Sequence, residues 1–201
     1  FPVEDTAGQE AKQQQIYRIC IPGAVDFARR DYPSLIDEML VSEIPPGLKF
    51  VLLGRTTNTD GKELIARIKG LGLEPYFSLF ENFIPHRQFY DEVRKAWIVL
   101  PLVTPRCRDY KDYMEHKITG SFNLAYGFRQ PMLMHDSFAR TKIYRETSLF
   151  FPDGGLLRTI RQCMEHPTPL KAIKKSMAEK TDFRFDYQAE KYIGFIYWPP
   201  H

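Results

Sequence analysis

Apolar and polar positions alternate in two rhythms along most of this chain. "IYRICIP", Ile16 to Pro22, is a short strand-like run closed by Pro22-Gly23. "YPSLIDEMLVSEI" then carries Leu35, Ile36, Met39 and Leu40 at helical spacing, and Pro45-Pro46-Gly47 stops it. "LKFVLLG", Leu48 to Gly54, is a continuous apolar run ended by glycine, which predicts a strand buried on both faces. "DGKELIARIKGLGL" sets Leu64, Ile65, Ile68 and Leu71 on one helix face, with Asp60 as the expected N-cap.

The alternation goes on. "EPYFSLF" predicts a third strand, "PHRQFYDEVRKA" a helix with Phe89, Tyr90 and Val93 inward, and "WIVLPLV" a fourth strand. An irregular segment, "TPRCRDYKDYMEHKIT", leads to "GSFNLAYGFRQPML", read as a helix followed by a fifth strand. "SLFF" is a sixth short strand, and only helices follow it. Strands alternating with helices at this spacing predict an α/β fold, a Rossmann-like parallel sheet of about six strands with helices on both faces and further helices appended. Residues 1–15 have no periodicity and are read as a leading arm or linker, and 16–201 as one domain. Sites in such folds lie beyond the carboxyl ends of the strands.

Composition narrows the classes. In 201 residues, 43% are apolar and 14% aromatic, enough for a sizeable core, and a formal charge of +3 is too small to point to nucleic acid. Three widely spaced cysteines without a CxxC argue against a disulfide framework and for a reducing compartment. The histidines show no HxxxH spacing and no nearby cysteine pair, so no structural zinc is expected, and no metal or cofactor is expected. The apolar run Ala96 to Val103 is too short to span a bilayer, and the polar start has no signal-peptide core. The chain opens on Phe1 rather than methionine, so it is expected to be a processed product or an excised piece. A cytoplasmic location is expected.

The strand ends supply the candidate chemistry. After the first strand, Gly23 permits a sharp turn, and Arg29-Arg30 could clamp a diphosphate through forked hydrogen bonds or lie on the surface beside Asp26 and Asp31. After the second, "GRTTNTDG" carries Arg55 but neither GxGxxG nor a P-loop. After the third, Phe83 and Ile84 could receive a base ring, although core positions suit them better. After the fourth, Thr104 to Ser121 is dense in charge and ends at Gly120-Ser121, a glycine-led helix start whose unpaired N–H groups and dipole suit an anion. No GxSxG elbow is present. Cys107 sits among arginines that could lower its pKa, but reads as a chance cysteine.

Four segments, "IPGAVDFARRDYPSLIDEML", "LKFVLLGRTTNTDGKELIARIKGLGL", "FIPHRQFYDEVRKAWIVLPLV" and "GSFNLAYGFRQPML", together resemble the C-terminal, donor-binding domain of a GT-B fold glycosyltransferase. The likeness is nearest to the retaining group 1 (family 4) enzymes and covers roughly residues 16–197. It implies half of a GT-B fold that binds a nucleotide-diphosphate sugar as substrate. Transfer to a glycan, lipid or other acceptor would need an N-terminal acceptor domain in the full-length chain. For the full-length protein the resemblance also implies, as an alternative, a peripheral place at the inner face of a membrane. On that resemblance Arg29 or Arg30 grips the diphosphate, Gly120 and Ser121 give backbone N–H groups to the phosphates, and Glu115 takes the catalytic place near the sugar. Gly23, Arg55, Phe83, Ile84 and Asn123 complete the implied nucleotide-sugar site. The family often carries a second glutamate eight positions on, for the ribose. That place falls on Asn123 or Leu124, and no glycine-phenylalanine-glycine turn precedes it. Two rival readings stand beside this one: a non-catalytic interaction module with the same half-fold, and a fragment of a GT-B type sugar epimerase.

Overall fold

A computed structural model describes residues 15–80, 82–117, 119–180 and 185–197. The leading arm expected over residues 1–15 thus lies outside the described residues save its last.

Six strands form one parallel sheet: β1 (Tyr17–Pro22), β2 (Leu48–Leu53), β3 (Phe77–Ser78), β4 (Ile98–Val99), β5 (Met132–His135) and β6 (Ser148–Phe151). Their order is β3-β2-β1-β4-β5-β6. The chain moves outward from β1 to β3, then returns to the other side of β1. The carboxyl ends of β1 and β4 therefore flank the switch point, where this architecture opens a crevice. The longest pairing joins Tyr17 to Leu48 and runs through Pro22 to Leu53. These two strands are apolar at nearly every position because helices cover both faces.

The helices are α1 (Tyr32–Val41), α2 (Thr59–Gly70), α3 (His86–Lys95), α4 (Tyr110–Glu115), α5 (Gly120–Gly127), α6 (Lys142–Thr147), α7 (Leu156–Glu165), α8 (Thr168–Glu179) and α9 (Phe185–Tyr197). On one face, Leu35 and Ile36 of α1, Leu64 and Ile68 of α2, and Leu157 and Ile160 of α7 pack with Ile19, Ile21, Phe50 and Leu52 of the sheet. On the other, Val93 of α3 packs with Cys20, Val51 and Leu53, and Phe122 and Ala125 of α5 pack with Val99, Met132 and Met134. Among the described residues, no helix is long and apolar enough to cross a membrane.

Several expected elements change on folding. β3 and β4 keep only two paired residues each. Glu74–Tyr76 becomes a 3-10 turn, and after Val99 the chain stays buried while leaving the ladder, with Leu102 at φ 55°. The segment expected to be irregular contains α4, and α6 was not foreseen. Asn58, not Asp60, stands at the N-cap of α2, and the Asp60 carboxylate instead accepts the Phe27 N–H at 2.8 Å. Tyr90 and Leu71 are partly exposed rather than inward. On α3 the buried partner of Val93 is Glu92, which pairs with Arg18 of β1.

Candidate functional site

A cavity of about 550 Å³ opens at the switch point. Pro22, Gly23 and Ala24 enter it from the end of β1, Arg29 and Arg30 from the turn before α1, and Tyr113, His116 and Lys117 from the end of α4. Thr119, Gly120, Ser121 and Leu124 come from the start of α5, and Phe89 from α3.

Gly23 takes φ +100°, a conformation that favours glycine, and the Arg30 guanidinium lies where a Cβ at position 23 would stand. Arg30 is only 9% exposed. It donates from Nη2 to the Pro22 carbonyl at 2.5 Å and from Nη1 to the Ala24 carbonyl at 3.2 Å, and its Nη2 lies 3.5 Å from Ser121 Oγ. Its Nε is buried without a partner. Among the described residues every one of its hydrogen-bond partners is neutral, so a buried positive charge faces the cavity with no counterion.

Arg29 is half exposed and is aimed by its neighbours. Its Nε donates to the Tyr113 hydroxyl at 3.0 Å, and the Asp109 carboxylate lies at 3.9 Å. The Tyr113 bond, more than the nearby carboxylates, raises the guanidinium pKa further, so Arg29 is a fixed cation. Lys117, beside it in the lining, pairs with Asp112 at 2.6 Å, and that pair holds the carboxyl below and the ammonium above their ordinary pKa values.

α5 begins at Gly120, as expected, but not all of its first N–H groups are open. Thr119 is the N-cap: its Oγ1 accepts from Ser121 N at 3.1 Å and from Phe122 N at 3.3 Å. The expectation that these groups lack partners is corrected by this cap. Ser121 is itself buried and donates from Oγ to the Pro22 carbonyl at 3.1 Å. Among the described residues the Gly120 N–H has no acceptor and is left for a ligand. A Cβ at Gly120 would meet no atom within 4 Å, so close packing of helix on sheet does not require a glycine there.

The cavity thus gathers Gly23, Arg29, Arg30, Gly120 and Ser121 of the expected site. It does not gather Glu115, whose carboxylate turns to His116 at 3.4 Å and lines an adjoining hollow with Phe138, Thr141 and Tyr144. Asn123 points to solvent, and Leu124 takes the wall position on α5. Arg55 is exposed beyond the lining; its carbonyl accepts the Val25 N–H at 3.1 Å. Phe83 is 82% exposed, which corrects the reading of it as core, whereas Ile84 packs against the cluster around Cys20 and Val93. Sequence reasoning placed His116 and Lys117 in the charge-dense segment without giving them a role, and missed Tyr113 and Thr119. Of the last two, Thr119 carried a signal, a threonine immediately before a helix start.

The cysteines are buried free thiols. For Cys107, burial raises the pKa and outweighs the lowering by Arg30, which overturns the activated-thiol possibility.

No protein-family model matches the sequence, and no curated protein does. Solved structures match the fold. HepE from Anabaena, in complex with UDP, superposes with a TM-score of 0.64 at 14% identity, over 91% of this chain and 49% of HepE. The C-terminal domain of LpcC, a glycosyl transferase group 1 family protein from Francisella tularensis, gives 0.58 at 17% identity, over 96% of this chain and 95% of that domain. Sucrose-phosphate synthase from Thermosynechococcus elongatus gives 0.62 at 17% identity, over 92% of this chain and 45% of the synthase. The chain has the fold of the C-terminal half of a GT-B glycosyltransferase, and it spans about half the length of HepE and of the synthase.

Proposed function

We propose that this chain is the donor-binding half of a glycosyltransferase and holds the diphosphate of a nucleotide sugar at the start of α5. The observation that carries the reading is Arg30, a buried guanidinium among neutral partners at the wall of the cavity. A diphosphate seated there supplies the missing counter-charge. Arg29 and Lys117 lie on the same lining, and the Gly120 N–H and the positive end of the helix dipole add to their attraction. The UDP-bound state of HepE, which shares the fold, supports the same ligand class.

In a complete enzyme these groups would stabilise negative charge as the diphosphate leaves, which is electrostatic catalysis by fixed donors. A second domain would orient the acceptor and exclude water. The isolated chain is therefore expected to bind a donor without transferring its sugar. A non-catalytic module is the second reading, favoured by the position of Glu115 outside the cavity.

Calorimetric titration with UDP tests the proposal. Wild type should bind at millimolar concentration or tighter. Gly120→Val should fold normally and weaken UDP by roughly ten- to a hundredfold, the equivalent of about 1–3 kcal/mol. Equal affinity in the two proteins would remove α5 from the site. Absence of binding to wild type would leave the module reading in front.

A further inference from the structure

The two half-exposed cations of the cavity are each shared with a carboxylate that stands outside it. Lys117 lines the cavity, and its Nζ donates to Asp112 Oδ2 at 2.6 Å. Arg29 lines it too, and its Nε lies 3.9 Å from Asp109 Oδ2. Neither aspartate is part of the lining. Asp109 is the N-cap of α4 and Asp112 lies three residues on, so both stand on one side of that short helix.

The two pairs hold differently. Arg29 is fixed by the Tyr113 hydroxyl at 3.0 Å, and its approach to Asp109 is long. For the Lys117 ammonium, the Asp112 carboxylate is the only hydrogen-bond partner among the described residues. Their side chains are 51% and 49% exposed. A pair so exposed is worth little, because water screens it and both side chains lose rotamer freedom. A phosphate beside Arg29, Arg30 and the start of α5 offers Lys117 more negative charge than one carboxylate does. The flexible lysine stem lets the ammonium move between the two.

We propose that Asp112 competes with the ligand's phosphate for Lys117, so that part of the affinity of this site is set by a residue outside the cavity. Asp112 is then a specificity-determining residue that weakens the site rather than builds it. This inference rests on the diphosphate reading above.

The test is calorimetric titration of inorganic pyrophosphate and UDP into wild type, Asp112→Asn, Lys117→Gln and the double variant. Asp112→Asn should bind both ligands about two- to fivefold more tightly than wild type, the range that an exposed pair allows. Lys117→Gln should bind both more weakly. Adding Asp112→Asn to Lys117→Gln should leave affinity unchanged within error, because no ammonium remains to be released. Equal or weaker binding by Asp112→Asn overturns the inference. So does the same gain in both backgrounds, which would be the general field of one carboxylate. Wild-type affinity in Lys117→Gln also sinks it, while the diphosphate reading stands. If neither ligand binds any of the four proteins, the diphosphate reading falls first and takes this inference with it.

Discussion

Arg30 fills the space that a side chain on Gly23 would need. Gly23→Ala therefore strains the backbone at φ +100° and displaces the guanidinium. The backbone part alone costs about 1–3 kcal/mol. Urea unfolding should show a loss of at least that size, together with weaker pyrophosphate binding. In an Arg30→Ala background the same substitution should cost less, because only the backbone part remains. Equal costs in both backgrounds would show that the two residues do not interact.

Thr119→Ala removes the acceptor for two N–H groups at the start of α5. The expected loss is about 1 kcal/mol, the usual worth of an N-cap hydroxyl. Thr119→Ser keeps the oxygen and should restore most of it. Chemical denaturation of the three proteins reads both changes.

Stability should fall on the alkaline side. Burial pushes the Cys20 thiol from the ordinary 9.0 up to about 12, and that of Cys163 to about 11. Below about pH 9 both thiols are neutral, folded or unfolded. Above it the unfolded chain ionises first, so folding loses free energy as pH rises from about 9 through the two folded values. Cys20→Ser should make the slope of unfolding free energy between pH 9.5 and 11 shallower, whatever its offset at neutral pH. A slope identical to wild type would show that Cys20 ionises alike in both states.

Phe83→Ser should shift unfolding free energy by no more than about 0.5 kcal/mol, because the ring is 82% exposed and lies outside the core clusters. A loss of several times that amount, measured by denaturation, would mean that the ring is packed in solution.

β2 was legible because the apolar stretch Phe50 to Leu53, preceded by Leu48 and ended by Gly54, leaves little alternative to a buried strand. α5 was legible from its bounding glycines. β4 was overread: Leu100 to Val103 are as buried as the strand itself, yet only Ile98 and Val99 pair with β1 and only Val99 pairs with β5. Burial sets the apolar pattern, and pairing depends on where the backbone goes, which Leu102 at φ 55° turns away. Within the site, the arginines were legible from residue type and strand ends. Glu115 was placed near the sugar on the family resemblance, but the end of α4 turns His116 and Lys117, not Glu115, to the cavity.

The loops after three strands are tied to one another. Asp31 N–H reaches the Leu102 carbonyl at 2.9 Å, and Asp109 N–H reaches the Ala28 carbonyl at 3.0 Å. Phe27 N–H reaches Asp60, and the Asn58 amide donates to the Val25 carbonyl at 2.7 Å. In hydrogen exchange such loops open as one cooperative unit. Amide protons of Phe27, Asp31 and Asp109 should exchange at similar rates, and an anion bound at Gly120 should slow all three together, although none of these residues lines the cavity.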